Sequence, residues 1–339
     1  MKIIANIFKK PYLRFSLFML SVLLLVGLEI WDSFSPPPAQ DWIATNFQKI
    51  QVADPTNFTF AVFSDNKNSH SVFEKLLADI DRDPKISFVM DIGDMVYDGE
   101  KEKYRYFLNQ IRSHLHKPLL TAVGNHELKE NGRGLYYEVF GPFYYSFQIG
   151  KTYFIVLDDA NGENVDWWQR RWLEEELTRA QTCEQRAVFM HVPLYDPRPG
   201  LHYCLQEGAA DDIARLFKKY NVTHIFSSHI HGFFQGEWNG ITYTITGGAG
   251  AELRENDPQH YFFHYIKVQI QDGELRTEPK SPSTPAWDDR VAYLVWLYVY
   301  AFIRIHGIEL ALFLIIASLV VPAYRAITRK PGGKPSKGP

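Results

Sequence analysis

Residues 119–127 read Leu-Leu-Thr-Ala-Val-Gly-Asn-His-Glu, an apolar, β-branched run that breaks at Gly124 into Asn125, His126 and Glu127. A short apolar run closed by a glycine predicts a buried strand, and it puts the polar triplet just beyond the strand's carboxyl end. The pattern recurs on both sides of this stretch. Phe58–Ser64 leads into Asp65-Asn66-Lys67, and Ile86–Ile92 into Gly93-Asp94. Ala187–Met190 leads into His191, and His224–Ser227 into Ser228-His229-Ile230-His231-Gly232. Tyr153–Leu157 and Ile241–Thr246 are two further strand-like runs. Between them, Val72, Phe73, Leu76, Leu77 and Ile80 repeat at helical spacing, as do Trp168, Trp172, Leu173 and Leu177, and Ile213, Leu216 and Phe217. Strands alternating with helices predict an α/β architecture with substantial sheet content.

In open α/β sheets, ligands bind beyond the carboxyl ends of the strands. Five strand ends carrying Asp, Asn or His therefore suit a shared metal cluster. Carboxylate, amide oxygen and neutral imidazole together favour Mn, Fe or Zn. Two such ions roughly 3.5–4 Å apart can clamp a phosphoryl group from both sides, and one carboxylate can bridge them, with Asp94 the natural candidate. Taken singly, each residue has an ordinary reading: Asp65 and Asp94 as strand-end caps, His191 and His229 as polar residues, the glycines as turns. Their order along the chain is what separates the two readings.

That order, Asp65, Gly93-Asp94, Gly124-Asn125-His126-Glu127, His191 and His229-Ile230-His231, resembles the calcineurin-like metallophosphoesterases, whose pattern is D-x-H, GD, GNH[D/E], H and GHxH. The resemblance covers about residues 58–250. It implies a β-sandwich flanked by helices (α/β/β/α) and two divalent or trivalent metal ions. By the same resemblance Asp94 bridges the ions, Asp65 and His231 bind the first, and Asn125, His191 and His229 bind the second. A hydroxide held between the ions would attack phosphorus, His126 would protonate the leaving oxygen, and Glu127 would orient and charge-stabilise that imidazole. Asn125 would also reach a phosphate oxygen.

Two positions depart from the family pattern. Lys67 stands where D-x-H has histidine, and a protonated lysine repels a cation rather than ligating it. Asn66 or His70 could replace the missing ligand, or Lys67 could face the substrate and neutralise phosphate charge. Ser228 stands for the first glycine of GHxH, a small change expected to be tolerated. Arg133, Tyr195 and Arg198 lie on loops that could approach a phosphate, although a solvated loop charge is the favoured reading of each. The segment Gly141–Phe147 reads as a strand edge packed on the core.

The ends of the chain carry a different signal. Residues 13–31 form an apolar run preceded by Lys2, Lys9, Lys10 and Arg14, and residues 305–324 form a second, followed by Arg325, Arg329, Lys330, Lys334 and Lys337. Basic flanks on the outer side of both runs predict two membrane spans with both termini cytoplasmic. The expected organisation is a cytoplasmic N-terminus (1–12), an anchor (13–31), a linker (32–57) and an extracytoplasmic catalytic domain (58–287). A Trp- and Tyr-rich segment (288–304) that is interfacial or extends the next helix, a second span (305–324) and a basic cytoplasmic tail (325–339) follow. A membrane-associated, lipid-linked phosphoester is then one candidate substrate.

Of the 339 residues 46% are hydrophobic, enough for a sizeable core, and the net charge of −3 with interspersed signs argues against a nucleic-acid partner. Cys183 and Cys204 are too few for a disulfide scaffold and leave open either two thiols or one bridge. The expected activity is metal-dependent phosphomonoester or phosphodiester hydrolysis. The alternative, prompted by Lys67, is a weakened relative that binds or senses a ligand on the same fold.

Overall fold

The computed structural model describes residues 11–282 and 306–328, together with Val299 and Ile303. The chain divides into two compact units, one formed by residues 37–297 and the other by residues 1–36 and 298–339.

The larger unit is built on eleven strands: β1 (Phe58–Phe63), β2 (Ile86–Asp91), β3 (Leu119–Thr121), β4 (Tyr145–Ile149), β5 (Thr152–Val156), β6 (Gln185–Phe189), β7 (His224–Ser227), β8 (Phe233–Trp238), β9 (Ile241–Thr246), β10 (Tyr265–Gln271) and β11 (Glu274–Lys280). They form a five-stranded sheet, ordered β11-β10-β1-β2-β3, and a six-stranded sheet, ordered β4-β5-β6-β7-β9-β8. Within the first sheet β1, β2 and β3 run parallel. In the second β5, β6, β7 and β9 do so, with β4 and β8 as antiparallel edges. Every residue of β1 and β5 is buried, as expected of strands covered on both faces.

Phenylalanines join the two sheets. Phe60 stacks on Phe88 of its own sheet at 5.0 Å and meets Phe154 of the other edge-on at 5.5 Å. Phe189 and Phe226 continue the layer, stacked at 5.0 Å. On the outer face of the first sheet, α3 (Ser71–Arg82) places Phe73 edge-on to Phe63 at 5.4 Å and parallel to Phe107 of α4 (Lys101–His114) at 6.0 Å. The second sheet is covered by Leu173 and Leu177 of α6 (Trp167–Arg179) and Ile213, Leu216 and Phe217 of α7 (Glu207–Lys219). Two further helices precede these in the chain, α2 (Trp42–Phe47) and α5 (Gly132–Phe140). The expected α/β/β/α sandwich is present.

All seven strand-like runs are strands, and the three apolar periodicities are α3, α6 and α7. The apolar runs and periodicities leave out α4 and α5 and the strands β8, β10 and β11. The hairpins β8–β9 and β10–β11 both turn on two residues of positive φ, Asn239-Gly240 (53°, 84°) and Asp272-Gly273 (53°, 79°). These are the Asn-Gly and Asp-Gly pairs that two-residue hairpins select, so the signal was in the sequence.

In the smaller unit, α1 (Pro11–Phe34) and α8 (Gly307–Thr328) pack against each other. Among the described residues no helix is long and apolar enough to cross a membrane. The two predicted spans are therefore not findings of the structure. The predicted interfacial segment 288–304 lies outside the described residues apart from Val299 and Ile303, as do residues 1–10 and 329–339. Cys183 and Cys204 are both free, so the bridge is not formed.

Candidate metal centre

Parallel strands in each sheet bring the polar strand ends to one edge. There the chain takes sharp turns: Asp65, Lys67, Asn68, Asp94, His229 and His231 all have positive φ, half of the non-glycine residues that do so among those described. Such backbone is costly for residues with a Cβ and persists where surrounding contacts over-determine it. Here the contacts are cross-loop hydrogen bonds: Asp65 N–H to Gly93 O (3.1 Å), Lys67 N–H to Asp94 O (3.0 Å) and Ala251 N–H to Asp65 O (2.8 Å). Gly93 and Gly124 allow the close approach. A Cβ on Gly124 would lie 2.3 Å from Asp94 N, and one on Gly93 2.8 Å from the His191 ring.

Two ligand groups result, sharing Asp94. Asp94, His191 and His229 form one and Asp65, Asp94 and His231 the other, each with donor atoms within 4.8 Å of one another. Asn125 joins the first of these, its Oδ1 2.9 Å from His229 Nδ1 and 3.2 Å from His191 Nε2. All six predicted ligands are thus assembled.

The donor chemistry of the Asp94–Asn125–His191–His229 group fits a cation. His191 Nδ1 faces the carbonyl of Ile92 at 3.0 Å, which can only accept, so the imidazole donates there and turns Nε2 toward Asp94 Oδ1 (3.3 Å). Burial opposes a charge on this imidazole, yet Asp94 and Asp65 outweigh it and raise its pKa, so the pocket draws positive charge to that face. His229 differs: burial, reinforced by His191, pushes it down to about 3, which keeps it a neutral ligand. Asp65 Oδ1 and Asp94 Oδ2 are buried without a hydrogen-bond partner and face the other group, the first 3.2 Å from His231 Nε2 and the second 3.4 Å from Lys67 Nζ. Burial works against ionised Asp65, but His231, then His191 and Lys67, hold its carboxyl well below the usual range.

The Asp65–Asp94–His231 group contains something else. Lys67 Nζ lies 2.9 Å from His231 Nε2 and 3.4 Å from Asp94 Oδ2, fully inside the protein. Asn66 donates through its amide nitrogen to Asp91 (3.2 Å) while its Oδ1 is buried without a hydrogen-bond partner; His70, at the N-cap position of α3, pairs with Glu74 at 2.7 Å. Lys67 is buried, 2% exposed. Ser228, expected only to be tolerated, gives its hydroxyl proton to Asp65 Oδ2.

The role expected for Glu127 is corrected. Its carboxylate accepts the backbone N–H groups of Gly124 (2.7 Å), Asp94 (2.8 Å) and Val96 (3.1 Å) and does not meet the imidazole of His126. His126 Nδ1 instead faces the carbonyl of Tyr97 at 2.6 Å. The loop after β3 turns Glu127 inward, where burial and then Asp94 push its pKa up to about 7. Two carboxyls unremarked in the sequence do similar work. Asp91 holds Gly93 N–H (3.1 Å), and Asp159 holds the N–H groups of His191 (2.8 Å) and Val192 (2.9 Å). Asp159 follows the apolar run Tyr153–Leu157, so the strand-end pattern that marked the ligands was available for it too. Arg133 pairs with Asp158 at 2.5 Å, Tyr195 with Asp211 at 2.7 Å and Arg198 with Asp196 at 2.8 Å; each already has a carboxylate partner.

A sandwich with carboxylate, amide and imidazole donors at the carboxyl ends of its parallel strands defines a metal-dependent phosphoesterase class. The sequence model of the calcineurin-like phosphoesterases matches residues 58–233, just over half of the chain, and the chain belongs to that family. It is 27% identical to the human serine/threonine-protein phosphatase CPPED1 over 46% of this chain and 53% of that protein. It is 28% identical to the Fe(3+)-Zn(2+) purple acid phosphatase 12 of Arabidopsis thaliana over 52% of this chain and 33% of that one. A solved purple acid phosphatase from yellow lupin seeds superposes with a TM-score of 0.55 at 18% identity, covering 71% of this chain and 56% of its own, which shows the fold. The chain spans about half the length of the first curated relative it matches.

Proposed function

We propose that the chain hydrolyses a phosphoester at this centre. The observation that carries the reading is the convergence of Asp94, Asn125, His191 and His229 on one point, with His126 beside them. These four residues would hold a divalent or trivalent ion (Mn, Fe or Zn), which supplies Lewis acidity toward a phosphoryl oxygen and acidifies water at its surface. His126 is held by its own backbone N–H, which donates to Asp94 Oδ1 at 2.9 Å. Nδ1 donates to the Tyr97 carbonyl, which leaves Nε2 as the nitrogen that would carry a proton to the leaving oxygen; it lies 3.1 Å from Lys129 Nζ and 3.8 Å from Asp94 Oδ2. Burial lowers the pKa of this imidazole, with Asp94 opposing and Lys67 and Lys129 reinforcing, so its protonated form is a stronger acid than free imidazolium.

We further propose that the terminal helices hold this domain at the extracytoplasmic face of a membrane. Support comes from the apolar runs at 13–31 and 305–324, their basic outer flanks, and exposed apolar side chains such as Phe15, Leu23, Phe313 and Leu314. A lipid-linked phosphoester then becomes a reasonable substrate.

The test is hydrolysis of p-nitrophenyl phosphate and bis(p-nitrophenyl) phosphate by the metal-loaded full chain, with and without lipid vesicles. Turnover of either, lost on chelation, is expected, with a sharp reduction in His126→Ala on phenyl phosphate, whose leaving group needs the proton. Failure on both would favour a ligand-binding or sensing protein, a reading that the buried Lys67 supports. Release of the chain from membranes by alkaline carbonate would remove the anchoring proposal.

A further inference from the structure

We infer that the ammonium group of Lys67 is the resident cation of the Asp65–Asp94–His231 group, so that the centre takes a single metal ion, at Asp94, Asn125, His191 and His229. The inference rests on the metal-centre reading above and deepens it.

The hydrogen bonds of His231 carry the argument. Its Nδ1 lies 2.7 Å from the carbonyl oxygen of Glu252, a group that only accepts, so Nδ1 bears the ring proton. Lys67 Nζ, 2.9 Å from Nε2, can only donate, so the lone pair it meets is on Nε2, an atom that also lies 3.2 Å from Asp65 Oδ1. A divalent ion in this group would need that same lone pair. It would also need Asp94 Oδ2, and Lys67 Nζ lies 3.4 Å from that oxygen. Lys67 thus occupies one prospective ligand by a hydrogen bond and stands in ion-pair range of a second, Asp94 Oδ2, and two carboxylates supply the counter-charge. A lysine ammonium is a compact point charge, suited to stand where an ion would otherwise stand and unable to share the space with one.

The lysine is also fixed there. Its side chain is 3% exposed, and its backbone, at φ 43°, is tied by its own N–H to Asp94 O at 3.0 Å. On the next turn Asn68 N–H donates to Met95 O at 3.2 Å. Swinging Nζ out to admit an ion would take the buried ammonium away from His231 Nε2 and out of its ion pair with Asp94 Oδ2. The family's histidine at this position would add a ligand; Lys67 adds a charge. The centre keeps two positive charges side by side, one exchangeable and one built into the chain.

The experiment counts ions. Full-length protein in detergent is stripped with chelator, dialysed against Mn²⁺, and measured for bound manganese per chain and for its electron paramagnetic resonance spectrum. Expected for the native chain is about one ion with the six-line signal of isolated Mn²⁺; for Lys67→His, a second ion and the exchange-coupled spectrum of a pair. Lys67→Gln, which removes the charge without adding an imidazole, should also admit the second ion, more weakly. Two tightly held, coupled ions in the native chain would overturn the inference while leaving the phosphoesterase reading intact. No tightly held ion in the native chain would remove both. The native count decides the matter even if the variants do not fold.

Discussion

The carboxylate of Glu127 accepts the backbone N–H of Asp94 at 2.8 Å, joining the loop after β3 to the residue shared by both ligand groups. Together with its bonds to Gly124 and Val96, this makes Glu127 a clamp between two strand ends. Glu127→Ala leaves three buried N–H groups without acceptors, each costing about 1–3 kcal/mol. The expected result is a marked fall in melting temperature and a loss of roughly 10–100-fold in metal affinity, as for other supports of metal ligands. Calorimetry and metal titration check both. An unchanged melting temperature with an altered pH–rate profile would return Glu127 to the role of orienting His126.

His126 belongs to neither ligand group, so its loss should separate chemistry from metal binding. His126→Ala is expected to lower kcat by about 10²–10⁴-fold on substrates with poor leaving groups. The loss should shrink toward p-nitrophenolate, which leaves without protonation, and metal content should stay at the native level. A uniform loss across leaving groups would assign His126 to substrate binding instead.

The sequence made the ligand set legible because each ligand follows a buried strand directly, and parallel strands bring such positions together. What it hid were contacts made by backbone. Glu127 next to His126 suggested a side-chain pair, but adjacent residues past a strand end point in different directions, and Glu127 turned inward. Lys67 was legible as a departure, but where its Nζ lies depends on backbone at φ 43°, which spacing does not reveal. The hairpin β10–β11 has its Asp-Gly turn in plain view but carries no apolar run in β11, whose residues alternate between exposed and half-buried.

The sheets are held together by the phenylalanine layer, and Phe60 is at its centre. It is fully buried and touches Phe88, Phe154, Phe189 and Phe226 across both sheets. Phe60→Ala should cost about 3–5 kcal/mol, read as a lower urea midpoint at unchanged slope. Phe60→Leu, which retains most of the volume, should recover a large part. A cost below about 1 kcal/mol for the alanine variant would mean that the two sheets do not rely on this contact.

Two histidines away from the metal centre predict how stability follows pH. His224 is buried in β7 with Nε2 3.0 Å from Thr244 Oγ1, and His264 is buried with Nε2 3.0 Å from Thr246 Oγ1. Burial pushes the first down to about 3; burial, with partial opposition from the Phe262 carbonyl, pushes the second down to about 4. In the unfolded chain both titrate near 6.5. Below that pH the unfolded state binds protons that the folded state refuses. Their neutral forms therefore contribute fully above about pH 6.5, and stability falls as the pH drops toward 4, by about 1.4 kcal/mol per pH unit for each group. Urea unfolding between pH 7.5 and 5 should show this slope in the native chain. In His224→Phe, which stays apolar beside Phe226, the slope should be smaller by about one proton. Equal slopes in the two proteins would show that His224 is already charged in the folded state, and that Thr244 and its neighbours solvate it.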